Sequence, residues 1–439
     1  MSPEIESGFG SQDITPHLGS EIPGAILKNC SVGVHDQLLV TSLLLNDNHN
    51  PLVIVGVDAL ALNSIIVSQA REEINKRLSI PKENVLIAAS HTHEGGPTTD
   101  IFLSKSDSSY SHLVAERISL ATEKAFKTQK KSVLKVGSSL ALGVSFNRRF
   151  IMKDGSIQTH PGKPGTKNYE KIVRPAGPVD PQVGVIGIFD QTNQLKGCLI
   201  NFSCHATTRV GGYTLNSADY IHYLRRGVKL GARSHQATVI FINGAEGDIT
   251  QVNNLDARPK EYGEFWGQLV GINVAGAAIS ALASGKEEKI DLLARSNQIM
   301  FQRRDPNNKE LNQIKEFSSR YNQDAEIAAW SEELQKYQEL FNLSSKIEIE
   351  IQTMKITDRT GIISLPVELF CQLGLDIKSN SPFSLTMLAM LANGFFGYAP
   401  TQNSFPYGYE CRTARSSQLI PGDGERLSRL AAEQLKDLI

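Results

Sequence analysis

Apolar residues in this chain fall mostly into short unbroken runs. Leu38 to Leu45, Leu52 to Val57, Val85 to Ala89, Val183 to Phe189, Cys198 to Ser203 and Ala237 to Ile242 each read as a strand, and Val85 to Ala89 as one buried on both faces. Gly8 to Thr15 alternates weakly and predicts an early strand ending at Pro16, and Asn46 to Pro51 makes a turn between two of the runs. Ile347 to Ile356, Gly361 to Leu365 and Leu385 to Leu391 predict further strands, and Val133 to Phe146 one or two more, stopping at Asn147-Arg148-Arg149. Helical spacing through Ile65, Ile66, Ala70, Ile74 and Leu78 predicts a helix over Leu62 to Leu78. Others are expected over Tyr110 to Lys127, Tyr262 to Ala283 and Gly424 to Leu438, the last opened by Pro421-Gly422-Asp423. Arg303 to Asn342 is polar with helical spacing, which predicts a helical insertion on the surface at about 303–345. Strands alternating with helices predict an α/β fold: a mixed, largely parallel central sheet flanked by helices, in a single large catalytic domain over 1–439.

Composition narrows the function. The 45 Lys and Arg balance 46 Asp and Glu, so there is no basic field for nucleic acid, and a small-molecule or neutral substrate is expected. The five cysteines, Cys30, Cys198, Cys204, Cys371 and Cys411, form no CxxC pair and suit reduced thiols in a cytosolic protein. The N-terminus shows no signal peptide and no stretch reads as a membrane span, so a cytoplasmic location is expected. Oligomeric state is left open, a homo-oligomer included.

The chemistry gathers after the strands. Asp58, His91 with His93, Asn147 with Arg148, His205, Thr250, Glu368 and Tyr398 all lie just past a predicted strand end, and parallel strands would bring them to one crevice. In an extended chain His91 and His93 point the same way, about 6–7 Å apart. Gly95, Gly96 and Pro97 then turn the chain into a crevice loop. Two histidines, a glutamate and an oxygen donor would hold Zn²⁺ with room for a water. Each residue also has a plainer reading. His205 reads equally as a structural residue; Glu368 opens a helix after Pro366 as readily as it binds metal; Tyr398 lies beside Phe395 and Phe396 like a core aromatic; Arg148 reads equally as a surface salt-bridge residue, and Asp248 as a cap on its Gly-rich turn. The long segment from Asp154 to Asp180 reads as a functional loop, with Lys153-Asp154-Gly155 and Pro161 to Pro164 as a polar pocket rim.

These residues carry a resemblance. From Gly8-Phe9-Gly10-Ser11-Gln12-Asp13-Ile14-Thr15-Pro16 to the final helix, the chain resembles the catalytic domain of the neutral/alkaline, non-lysosomal ceramidases. The most specific motif is Ala89-Ser90-His91-Thr92-His93-Glu94-Gly95-Gly96-Pro97. The resemblance implies hydrolysis of an N-acyl amide with one zinc ion, held by His91, His205, Glu368 and Tyr398. It also implies that His93, Arg148 and Tyr409 surround the scissile carbonyl.

The chain departs from that family where ceramidases carry a Gly-Asp-Val-Ser-Pro-Asn type motif. Here Gly247-Asp248-Ile249-Thr250-Gln251-Val252-Asn253 keeps a hydroxyl at Thr250 and loses the serine and the proline. The sequence also ends before the immunoglobulin-like domain of full-length ceramidases would begin. The expected substrate is therefore a small-molecule or lipid-like N-acyl compound, smaller or more polar than ceramide. Thr250 is expected to position substrate or water, a covalent role being disfavoured by the lack of an adjacent base. Tyr409 is expected to help at the carbonyl or to protonate the leaving amine. Rival readings are an esterase or lactonase on the same metal, an inactive ligand-binding protein, and a redox protein using Cys204 and Cys411.

Overall fold

A computed structural model describes residues 5–209, 214–258, 261–306 and 325–439. In chain order its main elements begin with β1 (Ile5–Asp13), β2 (Leu39–Asn46), β3 (Leu52–Val57), α1 (Ser64–Leu78), β4 (Val85–Ala89) and α2 (Ser108–Lys127). There follow β5 (Lys130–Leu140), β6 (Gln182–Phe189), β7 (Leu195–Phe202), α3 (Tyr220–Gly231), β8 (Thr238–Asn243) and α4 (Glu264–Ser284). The last part holds β9 (Ile290–Gln302), α5 (Ala325–Leu343), β10 (Lys346–Thr357), β11 (Thr360–Leu365), α6 (Cys371–Asn380), β12 (Leu385–Met390) and α7 (Asp423–Lys436).

The first sheet runs β8-β7-β6-β5-β1-β2-β3-β4, with Lys286–Glu287 added beside β5. It is mixed, as expected, but not largely parallel. Its parallel pairs, β3 with β4 and β7 with β8, stand at the two ends, and the pairs between them are antiparallel. The sheet curls enough to bring its two ends together. A Cβ on Gly56 of β3 would stand 2.7 Å from the carbonyl oxygen of Phe241 in β8, so only glycine permits this backbone approach.

The sequence did not announce a second sheet, β9-β10-β11-β12, packed on one face of the first. Period-two alternation explains the layering. In β3, Val53, Val55 and Val57 face helices α1 to α4, whereas Leu52 and Ile54 join Met354, Ile362, Met387 and Ala389 of the second sheet. Ile363, Leu365, Leu388 and Met390 point the other way, onto Leu373 and Ile377 of α6 and Leu427, Ala431 and Leu435 of α7. A strand covered on both faces has no polar side, which is why these runs are unbroken.

Four expectations change. Helix α3 and strand β9 were not anticipated, although Tyr220, Ile221, Leu224 and Val228 have helical spacing and Asp219 caps the helix through the Tyr220 amide. The segment after Asp154 adds two strands, Ile157–Thr159 and Ile172–Pro175, to Arg149–Met152 in a small antiparallel sheet, and is not a structureless loop. Of the expected insertion, 307–324 lies outside the described residues. Helix α5 is not a free surface helix, since Ala329, Glu333, Leu334 and Tyr337 are buried. Lastly, α4 is long and apolar enough by length and composition to cross a membrane, against the expectation that no stretch would be. It packs on α3, β5 and β6, where its small residues Ala275, Ala278 and Ala281 are buried.

Candidate active site

Strands of the parallel pairs at the two ends of the curled sheet deliver the histidines. His91 follows β4 and His205 follows β7, and a bridge between Thr92 and Ala206 joins their loops. His91 adopts a left-handed φ of 65°, so the chain is no longer extended there. The turn brings Nε2 of His93 to 3.3 Å from Nε2 of His91, closer than an extended spacing allows. The rings of His91 and His205 lie 4.6 Å apart between centroids.

Each imidazole is held by its other nitrogen. Nδ1 of His91 donates to the Leu60 carbonyl at 2.9 Å, that of His93 to Gly24 at 2.7 Å and that of His205 to Glu246 at 2.8 Å. A carbonyl only accepts, so in the neutral ring the Nε2 lone pair is left facing the common centre. Burial and the neighbouring His91 push the His93 imidazole down to about 3, and burial with Arg148 holds His205 well below the usual histidine range.

The segments that follow β11 and β12 supply the carboxylate and the phenol. Glu368 and Tyr398 face each other in a short parallel pair, Glu368–Leu369 with Tyr398–Ala399. Glu368 Oε2 lies 3.4 Å from His91 Nε2 and 3.3 Å from His205 Nε2, and it has no hydrogen-bond partner. Gly247 lets the two sheets meet here: its amide donates to Leu369, and a Cβ on it would stand 2.4 Å from the Glu368 carbonyl oxygen. Two lone pairs 3.3 Å apart beside an unpartnered buried carboxylate fit a cation, with two or three nitrogen donors and oxygen donors around it.

Arg148 is buried and is no surface residue. Its Nε donates to Glu410 at 3.0 Å, and its Nη2 to the Gly247 carbonyl at 2.8 Å and the Tyr398 hydroxyl at 3.2 Å. The guanidinium also lies 5.2 Å from the ring of Tyr409, which stands at the cavity wall. Thr250 lines the same cavity, its hydroxyl donating to Gln251 Oε1 at 3.2 Å, an amide oxygen that does not act as a base. Gln251 also accepts from Thr207, so the residue replacing the ceramidase proline fixes two hydroxyls.

Other sequence candidates have structural work. Asp58 pairs with Arg225 through both oxygens, at 2.6 and 2.9 Å. Asp248 accepts from the Cys371 amide at the start of α6 and from Asn147, so it ties distant segments together and does not cap its own Gly-rich turn. Lys163 is tied to Glu261 at 2.6 Å, and Asp154 closes its own turn on Ser156, so neither forms the polar rim expected of them. His160 lines the cavity in their place. The thiols do not pair; burial pushes Cys411 up to about 12 and Cys204 above its ordinary value, which removes the basis for a redox role.

The sequence reading missed Glu246, Glu410 and His160. Glu246 is fully buried, neither carboxylate oxygen has a partner, and it groups with His91 and Glu368, with one ligand atom of each within 4.8 Å of the others. Burial and Glu368 push its carboxyl well above the ordinary range. The available signal was an acid placed directly after the buried strand β8, in a Gly-rich turn.

His91, His93, His205, Glu368, Tyr398, Arg148, Tyr409, Thr250 and His160 line one cavity of about 740 Å³. One limb is apolar, with Ile26, Leu60, Ile101, Phe102, Trp330 and Phe395, and the other is polar, with Arg148, His160, Thr207 and Thr250.

No protein-family model and no curated protein matches the sequence. Among solved structures, neutral ceramidase from Pseudomonas aeruginosa superposes with a TM-score of 0.75 at 18% identity, over 100% of this chain and 75% of that one. A ceramidase complexed with C2 gives 0.74 at 16% identity, over 99% and 75%. The chain thus has the mixed α/β fold of neutral ceramidase, the fold expected from the residues around His91.

Proposed function

We propose that the protein is a zinc-dependent hydrolase that cleaves the amide bond of an N-acyl substrate. The observation that carries this reading is the convergence of His91 on His205 Nε2 and Glu368 Oε2, neither of which has a hydrogen-bond partner, in a cavity that has one apolar and one polar limb. His91, His205, Glu368 and Tyr398 would hold the ion. Zinc bound there supplies a Lewis acid and a water acidified to a pKa of about 7.

The chain's own residues do the rest. The apolar limb takes the acyl chain and excludes water from it, while the amine part lies toward His160, Thr207 and Thr250. Arg148, locked by Glu410 and the Gly247 carbonyl, places a fixed positive charge by the carbonyl oxygen, where such donors favour the developing oxyanion. His93, neutral at physiological pH and anchored on Gly24, stands beside the same atom. Tyr409, at the cavity wall beside Arg148, is assigned to the leaving amine. The polar part of the lining, Arg148, His160, Thr207 and Thr250, supports a substrate more polar than ceramide.

The test is elemental analysis of the purified protein, followed by a matched panel of N-acyl amines and esters with short, long and polar acyl groups. Near-stoichiometric zinc with amide turnover is the expected result. Turnover of esters or lactones alone would transfer the site to an esterase. Binding without turnover of any member would leave a ligand-binding protein.

A further inference from the structure

We propose that Glu246 is itself a ligand of the metal ion, so that this chain holds the ion with two carboxylates where the ligand set implied by the ceramidase resemblance has one. The inference rests on the metal-centre reading above. Glu246 has no exposed surface, and both of its side-chain oxygens lack a hydrogen-bond donor. An isolated carboxylate is strongly disfavoured in such surroundings unless a cation or a proton compensates it. Arg148 makes no hydrogen bond to Glu246: its Nε donates to Glu410 and its Nη2 to the Gly247 carbonyl and Tyr398.

What Glu246 does face is the metal-facing group. One of its oxygens, a ring nitrogen of His91 and an oxygen of Glu368 all lie within 4.8 Å of one another, a spread that one ion can bridge. Two buried carboxylates that close repel each other when both are ionised, and a divalent cation between them removes the repulsion. The position of Glu246 is also tied to that of a ligand, because its carbonyl accepts the Nδ1 proton of His205. Two imidazoles, two carboxylates and a phenol form an oxygen-rich set. Such a set favours five or six ligands and accommodates Mn²⁺, Fe²⁺ or Co²⁺ as well as Zn²⁺, unlike a closed four-ligand zinc site.

The experiment compares the full chain with Glu246→Gln and Glu246→Leu, each stripped with a chelator and reloaded with Zn²⁺ or Co²⁺. Bound metal is read by elemental analysis, affinity by competition with a chromophoric chelator, and ligand number by the visible absorption of Co²⁺. The expected result is at least a tenfold loss of affinity in Glu246→Leu, a smaller loss in Glu246→Gln, and a stronger Co²⁺ band as the ligand number falls. Thermal unfolding without metal separates ligation from folding: metal-free Glu246→Leu should melt no lower than wild type, yet gain less on adding Zn²⁺. Affinity within twofold of wild type and an unchanged Co²⁺ spectrum in both variants would overturn this inference alone. A wild-type chain that takes up no ion would overturn the metal-centre reading as well.

Discussion

Glu368 Oε2 stands 3.3 Å from Nε2 of His205, although the two residues follow strands of different sheets. The contact exists because the segment after β8 touches both: Gly247 donates to the Leu369 carbonyl, and the Glu246 carbonyl accepts from Nδ1 of His205. Removing either partner should therefore have the same effect. His205→Ala and Glu368→Ala are each expected to abolish stoichiometric metal binding and hydrolysis together, read by elemental analysis and turnover. Full metal content in either variant would contradict the assignment of that residue.

Arg148 holds three partners at once, Glu410, Gly247 and Tyr398. Lysine offers a point charge in place of a planar fork and does not reproduce this geometry. Arg148→Lys is expected to lower kcat by about 10²- to 10³-fold while leaving metal content unchanged. Loss of metal in parallel with kcat would make Arg148 a support for the ligands and not a group acting on the carbonyl.

Trp330 of α5 packs edge-on to Phe102 at 4.8 Å between ring centroids and closes the apolar limb. Trp330→Ala lengthens that limb. Across a series of acyl chain lengths, the optimum in kcat/KM should move to longer chains. An unchanged order of preference would place the acyl group elsewhere.

Glu94 is buried beside Arg209, and burial together with nearby Asp219 pushes its carboxyl up to about 8. The folded protein therefore keeps a proton that the unfolded chain releases above about 4.5. Stability should decline as pH rises from about 4.5 to 8, because the folded state binds more protons across that window. Glu94→Gln is expected to flatten this dependence by a few kcal/mol at most, measured as denaturant unfolding against pH. An unaltered slope would show that Arg209 keeps Glu94 ionised.

Glu333 fastens α5 to the site. It has no exposed side-chain surface, accepts from the Phe102 amide at 3.0 Å and pairs with Arg415 Nη2 at 2.6 Å. Breaking a buried pair on one side leaves a charge uncompensated, so Glu333→Ala should destabilise by about 3–5 kcal/mol. Denaturant titration would show it, and a change under 1 kcal/mol would indicate that solvent relieves Arg415.

The strands were legible where burial on both faces made them unbroken apolar runs, as in Leu52–Val57 and Val85–Ala89. Strand β9 was not, because many of its residues are exposed and its polar and apolar positions mix into a pattern shared with surface helices. Histidines and acids placed after strand ends made His91, His205 and Glu368 candidates, since strand ends in such folds open onto crevices. Glu246 looks in the sequence like any acid in a glycine-rich turn, and its unpartnered burial is a property of its neighbours.

The sequence by itself determined which runs are buried, which residue types gather at their ends and the kind of chemistry those types support. Local pattern carries that information because side-chain period and hydrophobicity act over a few residues. Only the tertiary structure decided that the convergence comes from a curled, mainly antiparallel sheet meeting a second sheet. That depends on contacts between distant segments, such as Gly56 against Phe241 and Gly247 against Glu368, where the absence of one side chain lets two backbones touch.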